Sequence, residues 1–285
     1  MKIIVTGGSG FVGSNTIKAL KEKDYTVFNY DLAEGFDIRN FEQVCSVIEK
    51  GDKILHLAAI ARFEDADDNP MEAFTVNVEG TDTVVRAAQK MGAERIIYSS
   101  TGSIYVPLEK APPITEDFKV KGNSIYACTK HFGEITIKRA GVPYIILRYA
   151  HLYGPGKEKY GAIGKFISRM NEGISPIIYG GKQSSDFTYI KDVVKANILA
   201  LESDKLNEIY NIGTGVELTV ENLYQKLRDF FHYEKEFARI PIRNVDPDIF
   251  VYDISKARKM LNYQPEYTFE KGMQDWFGNK KYESK

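Results

Sequence analysis

The chain has 285 residues, and its 38 basic and 39 acidic side chains give a formal net charge of −1, so it carries no electrostatic footprint for nucleic acid or an anionic membrane. Two cysteines, Cys45 and Cys128, and four scattered histidines argue against a disulfide framework or a zinc site. No stretch reaches the roughly 18 apolar residues of a membrane span, and no signal-like apolar run follows Met1, so the expectation is a cytoplasmic protein with small-molecule partners.

Residues 2–6 form a short β-branched run that enters Gly7-Gly8-Ser9-Gly10-Phe11-Val12-Gly13, after which a helical pattern continues through Leu20. A second strand, 26–30, ends at Asp31. The spacing then predicts a helix over 41–49, a strand over 53–57, one long helix over 70–91 and a strand over 95–99. Past a Pro-containing segment, 106–116, come a helix over 126–140 and a strand over 143–148. This alternation predicts an α/β fold with a Rossmann-type doubly wound parallel sheet. Beyond Tyr149, glycines and prolines separate shorter elements, which predicts a smaller C-terminal substrate domain. It is expected to be partly interleaved: the division is 1–150 and 151–285, with 186–215 rejoining the first part through 187–190, a helix over 192–201 and 210–212.

Three features carry chemistry. Gly7, Gly10 and Gly13 lie between a strand and a helix, where glycine lets backbone amides approach a pyrophosphate at the helix N-terminus. Asp31 closes the second strand, where a carboxylate can accept bonds from both adenosine ribose hydroxyls and repels a 2′-phosphate, favouring NAD over NADP. A turn or N-cap aspartate is the plainer reading of the same residue. Tyr126 and Lys130, four apart on a helix, share a face, so that the ammonium can favour the phenolate and draw the tyrosine toward the working pH; any surface helix can also carry such a pair.

Together with Phe36-Asp37-Ile38-Arg39, His56-Leu57-Ala58-Ala59, Asn77-Val78-Glu79-Gly80-Thr81, Tyr98-Ser99-Ser100-Thr101, Arg148-Tyr149-Ala150-His151-Leu152-Tyr153-Gly154-Pro155, Asp186-Phe187-Thr188-Tyr189 and Asn211-Ile212-Gly213, these motifs resemble the extended short-chain dehydrogenase/reductase family, in its nucleotide-sugar epimerase and dehydratase branch, over nearly the whole length. The resemblance implies NAD as cofactor, held by Gly7, Gly10, Phe11, Val12, Gly13, Asp31, Leu32, Asp37, Ile38, Leu57, Ala58, Ala59, Asn77, Ser99, Tyr126, Lys130 and Tyr149. It implies Thr101, Tyr126 and Lys130 as the catalytic set, and Thr101, Ser103, Tyr126, His151, Arg243 and Phe250 as substrate contacts. The implied activity is a nucleotide-sugar 4-epimerase of the UDP-glucose/UDP-galactose type, acting by transient oxidation at C4 and built as a homodimer through the helices around 77–90 and 126–138.

The alternatives are a reductase or a 4,6-dehydratase of the same family and a non-enzymatic dinucleotide-binding redox sensor. The dehydratase branch has an Asp-Glu pair after the catalytic threonine, where this chain has Gly102 and Ser103. Two phosphate contacts of the family are altered, to His151 and Ser185, while Arg243 matches a remaining one. Phe250 matches the position that gates the sugar pocket, and Cys128 reads as a small packing residue.

Overall fold

The structure, a computed structural model, describes residues 1–105, 113–158, 160–241 and 249–278. Six short strands, β1 (Ile3–Thr6), β2 (Val27–Tyr30), β3 (Lys53–His56), β4 (Arg95–Thr101), β5 (Tyr144–Tyr149) and β6 (Glu208–Ile212), pair in the order β6-β5-β4-β3-β1-β2, all parallel. Their runs of Ile, Val and Leu are apolar on both faces, as a sheet covered on both sides requires. Ile3, Val5, Leu55, Ile97 and Ile145 belong to one core. Ile4, Ile54, Ile96, Tyr98 and Ile146 belong to the other.

Five helices supply much of the cover: α1 (Phe11–Glu22), α2 (Phe41–Val47), α3 (Gly80–Met91), α4 (Ile125–Lys138) and α5 (Ile190–Glu202). α1 packs on α5, α2 on α3 and α3 on α4. The chain leaves β1 for β2 on one side and returns for β3 on the other. The carboxyl ends of β1 and β3 therefore diverge into the crevice where such sheets bind ligands.

Two sequence expectations differ in detail. The single helix over 70–91 is three pieces, Pro70–Phe74, a π-helical turn at Thr75–Glu79 and α3. The wide turn carries Asn77, whose side chain accepts from Ile60 N–H at 2.8 Å and donates to Ile60 C=O at 3.0 Å. A helix bulge of this kind commonly marks a functional segment. Phe187–Tyr189, expected to rejoin the main sheet, instead pairs with His151–Tyr153. Glu208–Ile212 does join it, beside β5. A small sheet of Leu218–Thr219, Ser184–Ser185 and Ile249–Phe250 sets Ser185 opposite Phe250. Among the described residues, no helix is long and apolar enough to cross a membrane.

Candidate active site

A cavity of about 810 Å³ runs along the carboxyl ends of β1 to β5. One end is built by the glycine turn. Gly7 has φ +69°, and a Cβ there would lie 2.6 Å from Ala58 N; a Cβ on Gly13 would lie 2.2 Å from Gly7 O. Only glycine permits this closeness of turn, helix and β3 loop. Phe11, Val12 and Gly13 form the first turn of α1, whose amides have no intrahelical acceptor and face the cavity end. Asp31 does both things its position allows. It caps a short 3₁₀ turn, Oδ1 accepting from Ala33 N at 2.9 Å and Oδ2 from Ser9 N at 3.0 Å, and it lines the cavity with lone pairs to spare.

Leu32, Asp37, Ile38, Leu57, Ala58, Ala59, Ser99 and Tyr149 line the same cavity. The Asp37 carboxylate is gripped by Arg39, whose Nη2 stands 2.7 Å away; this bond holds its pKa below the usual carboxylate range against burial. Asn77 is the one residue of the expected cofactor set that does not line the cavity. It is buried behind the wall, fixing Ile60 and donating to Thr129 Oγ1 at 3.0 Å. Glycine cradle, open amides and acidic β2 end together fit a dinucleotide, the residues themselves supplying the match.

At the other end, Thr101 terminates β4 and α4 brings up Tyr126 and Lys130. Ser124 caps α4 by accepting from Ala127 N at 3.1 Å, which fixes where the first turn, and hence Tyr126, begins. Thr101 donates to Ser103 Oγ at 3.2 Å. Phe63 stands edge-on to the Tyr126 ring, centroids 5.3 Å apart.

The expected depression of the phenol by Lys130 is not what these positions produce. Burial pushes Tyr126 up to about 12, and a hydrogen bond with Thr101 works the other way. The Lys130 ammonium lies 4.3 Å from the centroid of the Tyr98 ring. Burial brings its pKa down to about 7, against the pull of Glu134. In low dielectric each group avoids its charged form.

Beneath them lies a buried network that sequence reading missed. Glu134 Oε1 accepts from Ser100 Oγ at 2.6 Å and from Arg148 Nε at 2.8 Å, and Oε2 from Arg148 Nη2 at 2.7 Å. Arg148 Nη1 donates to Tyr105 OH and to Glu116 C=O, both at 2.8 Å.

His151 and Phe250 face the cavity and each other, with ring centroids 5.5 Å apart, and Ser103 lies beside them on its wall. Arg243 lies outside the described residues. Gly102 is closely covered: a Cβ there would stand 2.0 Å from Phe250 Cζ and 2.1 Å from Tyr252 OH. Cys128, expected to pack, is exposed, with Sγ 3.8 Å from Gly122 C=O. Arg62, Lys157 and Tyr160 also line the cavity and were not foreseen, since nothing in their neighbours' sequence marks them.

A doubly wound parallel sheet with a glycine cradle, and with a Thr-Tyr-Lys set at the ends of β4 and α4, defines an enzyme class that works through a bound dinucleotide. Residues 3–213 match the NAD dependent epimerase/dehydratase family, and the chain belongs to that family. It is 31% identical to a provisionally named UDP-glucose 4-epimerase of Methanocaldococcus jannaschii, covering 97% of this chain and 98% of that one. It is 27% identical to a UDP-N-acetyl-alpha-D-glucosaminuronate decarboxylase of Bacillus cytotoxicus, covering 97% of each. The solved UDP-glucose 4-epimerase of Thermotoga maritima with UDP-glucose superposes with a TM-score of 0.89 at 30% identity, covering 97% of each chain. The cofactor of the family is NAD.

Proposed function

We propose that this is a cytoplasmic NAD-dependent nucleotide-sugar 4-epimerase, most suited to UDP-glucose and UDP-galactose. Residues 1–150 would bind the dinucleotide and 151–285 mainly the substrate. NAD, when bound by Gly7, Gly10, Gly13 and Asp31, supplies a reversible hydride acceptor and a positive charge near the reacting end. Tyr126 accepts the proton of the sugar C4 hydroxyl, and Thr101 holds that oxygen in line. A phenol held near 12 is a strong base once ionised, and a positive charge beside it lowers the cost of ionising. Tyr126 holds that proton while the sugar turns and then returns it to the C4 oxygen, and Lys130, whose pKa burial brings down to about 7, lines the same end as this chain's own source of positive charge when protonated.

The observation that carries this reading against the dehydratase is the cover over Gly102. Loss of water needs an acid beside the threonine. With Phe250 and Tyr252 where a Cβ would go, no carboxylate fits there. The carboxylates lining the cavity among the described residues are Asp31, Asp37 and Glu72, which group with the glycine-turn end and its Arg39. Phe250 also narrows the sugar side, which favours an unsubstituted hexose over an N-acetylated one. Diphosphate recognition would rest on His151 and Arg243, Ser185 being too short to replace an arginine.

The test is product identification with UDP-, GDP-, CDP- and dTDP-sugars. The expected product is the C4 epimer of a UDP-hexose, with no net NADH; a 6-deoxy-4-keto sugar, or NADH consumed in step with product, would refute the proposal. Tyr126→Phe should lower kcat by about a thousandfold with NAD still bound.

The exposed side of α4 carries Ile125, Cys128, Phe132 and Ile135, an i, i+3, i+7, i+10 stripe with Phe132 53% exposed. We propose that a second copy of the chain covers it, giving a homodimer.

A further inference from the structure

Lys157 lines the cavity but has no part in the chemistry above. Its Nζ donates to Leu152 C=O at 3.2 Å and lies 5.4 Å from the centroid of the Phe11 ring, at the first residue of α1. The surrounding backbone is built to bring it there. Gly154 has φ +143°, and a Cβ on it would lie 2.6 Å from Ile190 Cγ2; Gly156 has φ +96°, and a Cβ there would just reach Phe11 Cδ2, at 3.5 Å. A Cβ on Gly164 would come 2.6 Å from Lys157 C=O, so the helix Gly161–Asn171 packs directly against this turn.

Other cavity cations are committed elsewhere. Arg39 is paired with Asp37 and Glu72, Arg62 with Asp65, and Lys130 stands at the reacting end. Among the described residues no carboxylate lies within ion-pairing distance of Lys157, and burial lowers its pKa. An ammonium has three donors, and one is used on Leu152. Across from it, residues 7–13 contain no cation. The turn offers a diphosphate only amides and the roughly half charge of a helix N-terminus. A full positive charge added to these would hold a dianion taken out of water more strongly.

We propose that Lys157 is a ligand of the cofactor's diphosphate, supplied across the cavity from the second half of the chain to complete the site that the glycine turn begins. The inference rests on dinucleotide binding and not on the epimerase reading, which the product assay tests separately.

The test is calorimetric titration of the full chain and its Lys157→Gln and Lys157→Arg variants with NAD, ADP-ribose, adenosine and UDP. Lys157→Gln should weaken NAD and ADP-ribose roughly tenfold or more, a charge-assisted bond lost, and leave adenosine and UDP unchanged. Lys157→Arg should restore most of the affinity. Unchanged ADP-ribose binding would overturn the proposal. So would equal weakening of adenosine, which is a packing loss, or weakening of UDP alone, which would move Lys157 to the substrate.

Discussion

At the end of β3, His56 is fully buried, its Nδ1 2.6 Å from Thr6 Oγ1 and its Nε2 3.0 Å from Thr81 Oγ1. Thr81 spends its proton on Asn77 C=O, at 2.6 Å. Nε2 must therefore donate to Thr81, and Nδ1 accepts from Thr6. Thr6 Oγ1 in turn accepts from Leu57 N and Ala58 N at 3.2 and 3.3 Å, so a neutral imidazole outside the cavity fixes the loop inside it. Burial, helped by Lys130, lowers the His56 pKa from 6.5 to about 3. The unfolded chain therefore binds a proton between pH 6.5 and 3 that the folded one refuses, and the stability present above 6.5 is lost as pH falls through that window. Between pH 6.5 and 4.5 the loss should be about 2 kcal/mol from this residue. Urea unfolding of the protein and of His56→Gln at both pH values checks it; an equal acid loss in the two proteins would remove His56 as the cause. His56 was legible as part of His56-Leu57-Ala58-Ala59, but its tautomer was not, because that depends on Thr81, which only the fold brings to it.

The ends of α4, β4 and β5 are held together by one ion pair. Glu134 and Arg148 are both buried, and every donor and acceptor named around them is matched, from Ser100 through Tyr105 to Asn211 Oδ1, which accepts from Tyr105 OH at 2.7 Å. Burial raises the Glu134 pKa, yet the bonds to Arg148 pull it below the ordinary carboxylate range. Burial lowers that of Arg148, and Glu134 more than offsets it. Glu134→Gln leaves a guanidinium in the core with its counter-charge gone, which should cost about 3–5 kcal/mol. Replacing both residues by apolar ones of like size should recover part of that cost. Chemical denaturation measures both; a single-variant loss below about 1 kcal/mol would mean the pair is not buried in solution. Glu134 also lies 3.7 Å from Lys138, its i,i+4 neighbour on α4, and nothing in the sequence around it names Arg148 as the stronger partner. The strands were legible because β-branched runs state their own burial. The charges beneath them, and the π-helical turn at Thr75–Glu79, were not, because each is decided by partners distant in the chain.

Across the whole molecule, α4 faces two ways. Tyr126, Lys130 and Glu134 turn inward to the cavity and the buried pair, while Ile125, Phe132 and Ile135 turn to solvent, 38%, 53% and 38% exposed. Contiguous apolar patches are uncommon on free surfaces, and this stripe is the surface on which the proposed second copy would sit. A second copy applied along the stripe, with α3 beside it, would back the helix that carries the proton-transferring groups. Phe132→Glu combined with Ile135→Glu places two like charges in that seam, and juxtaposed charges there cost several kcal/mol. Sedimentation velocity at micromolar concentration should give a dimer for the parent chain and a monomer for the variant, with NAD affinity retained because no cavity residue has changed. A parent chain that sediments as a monomer, or a variant that remains a dimer, would place the association surface elsewhere or remove it.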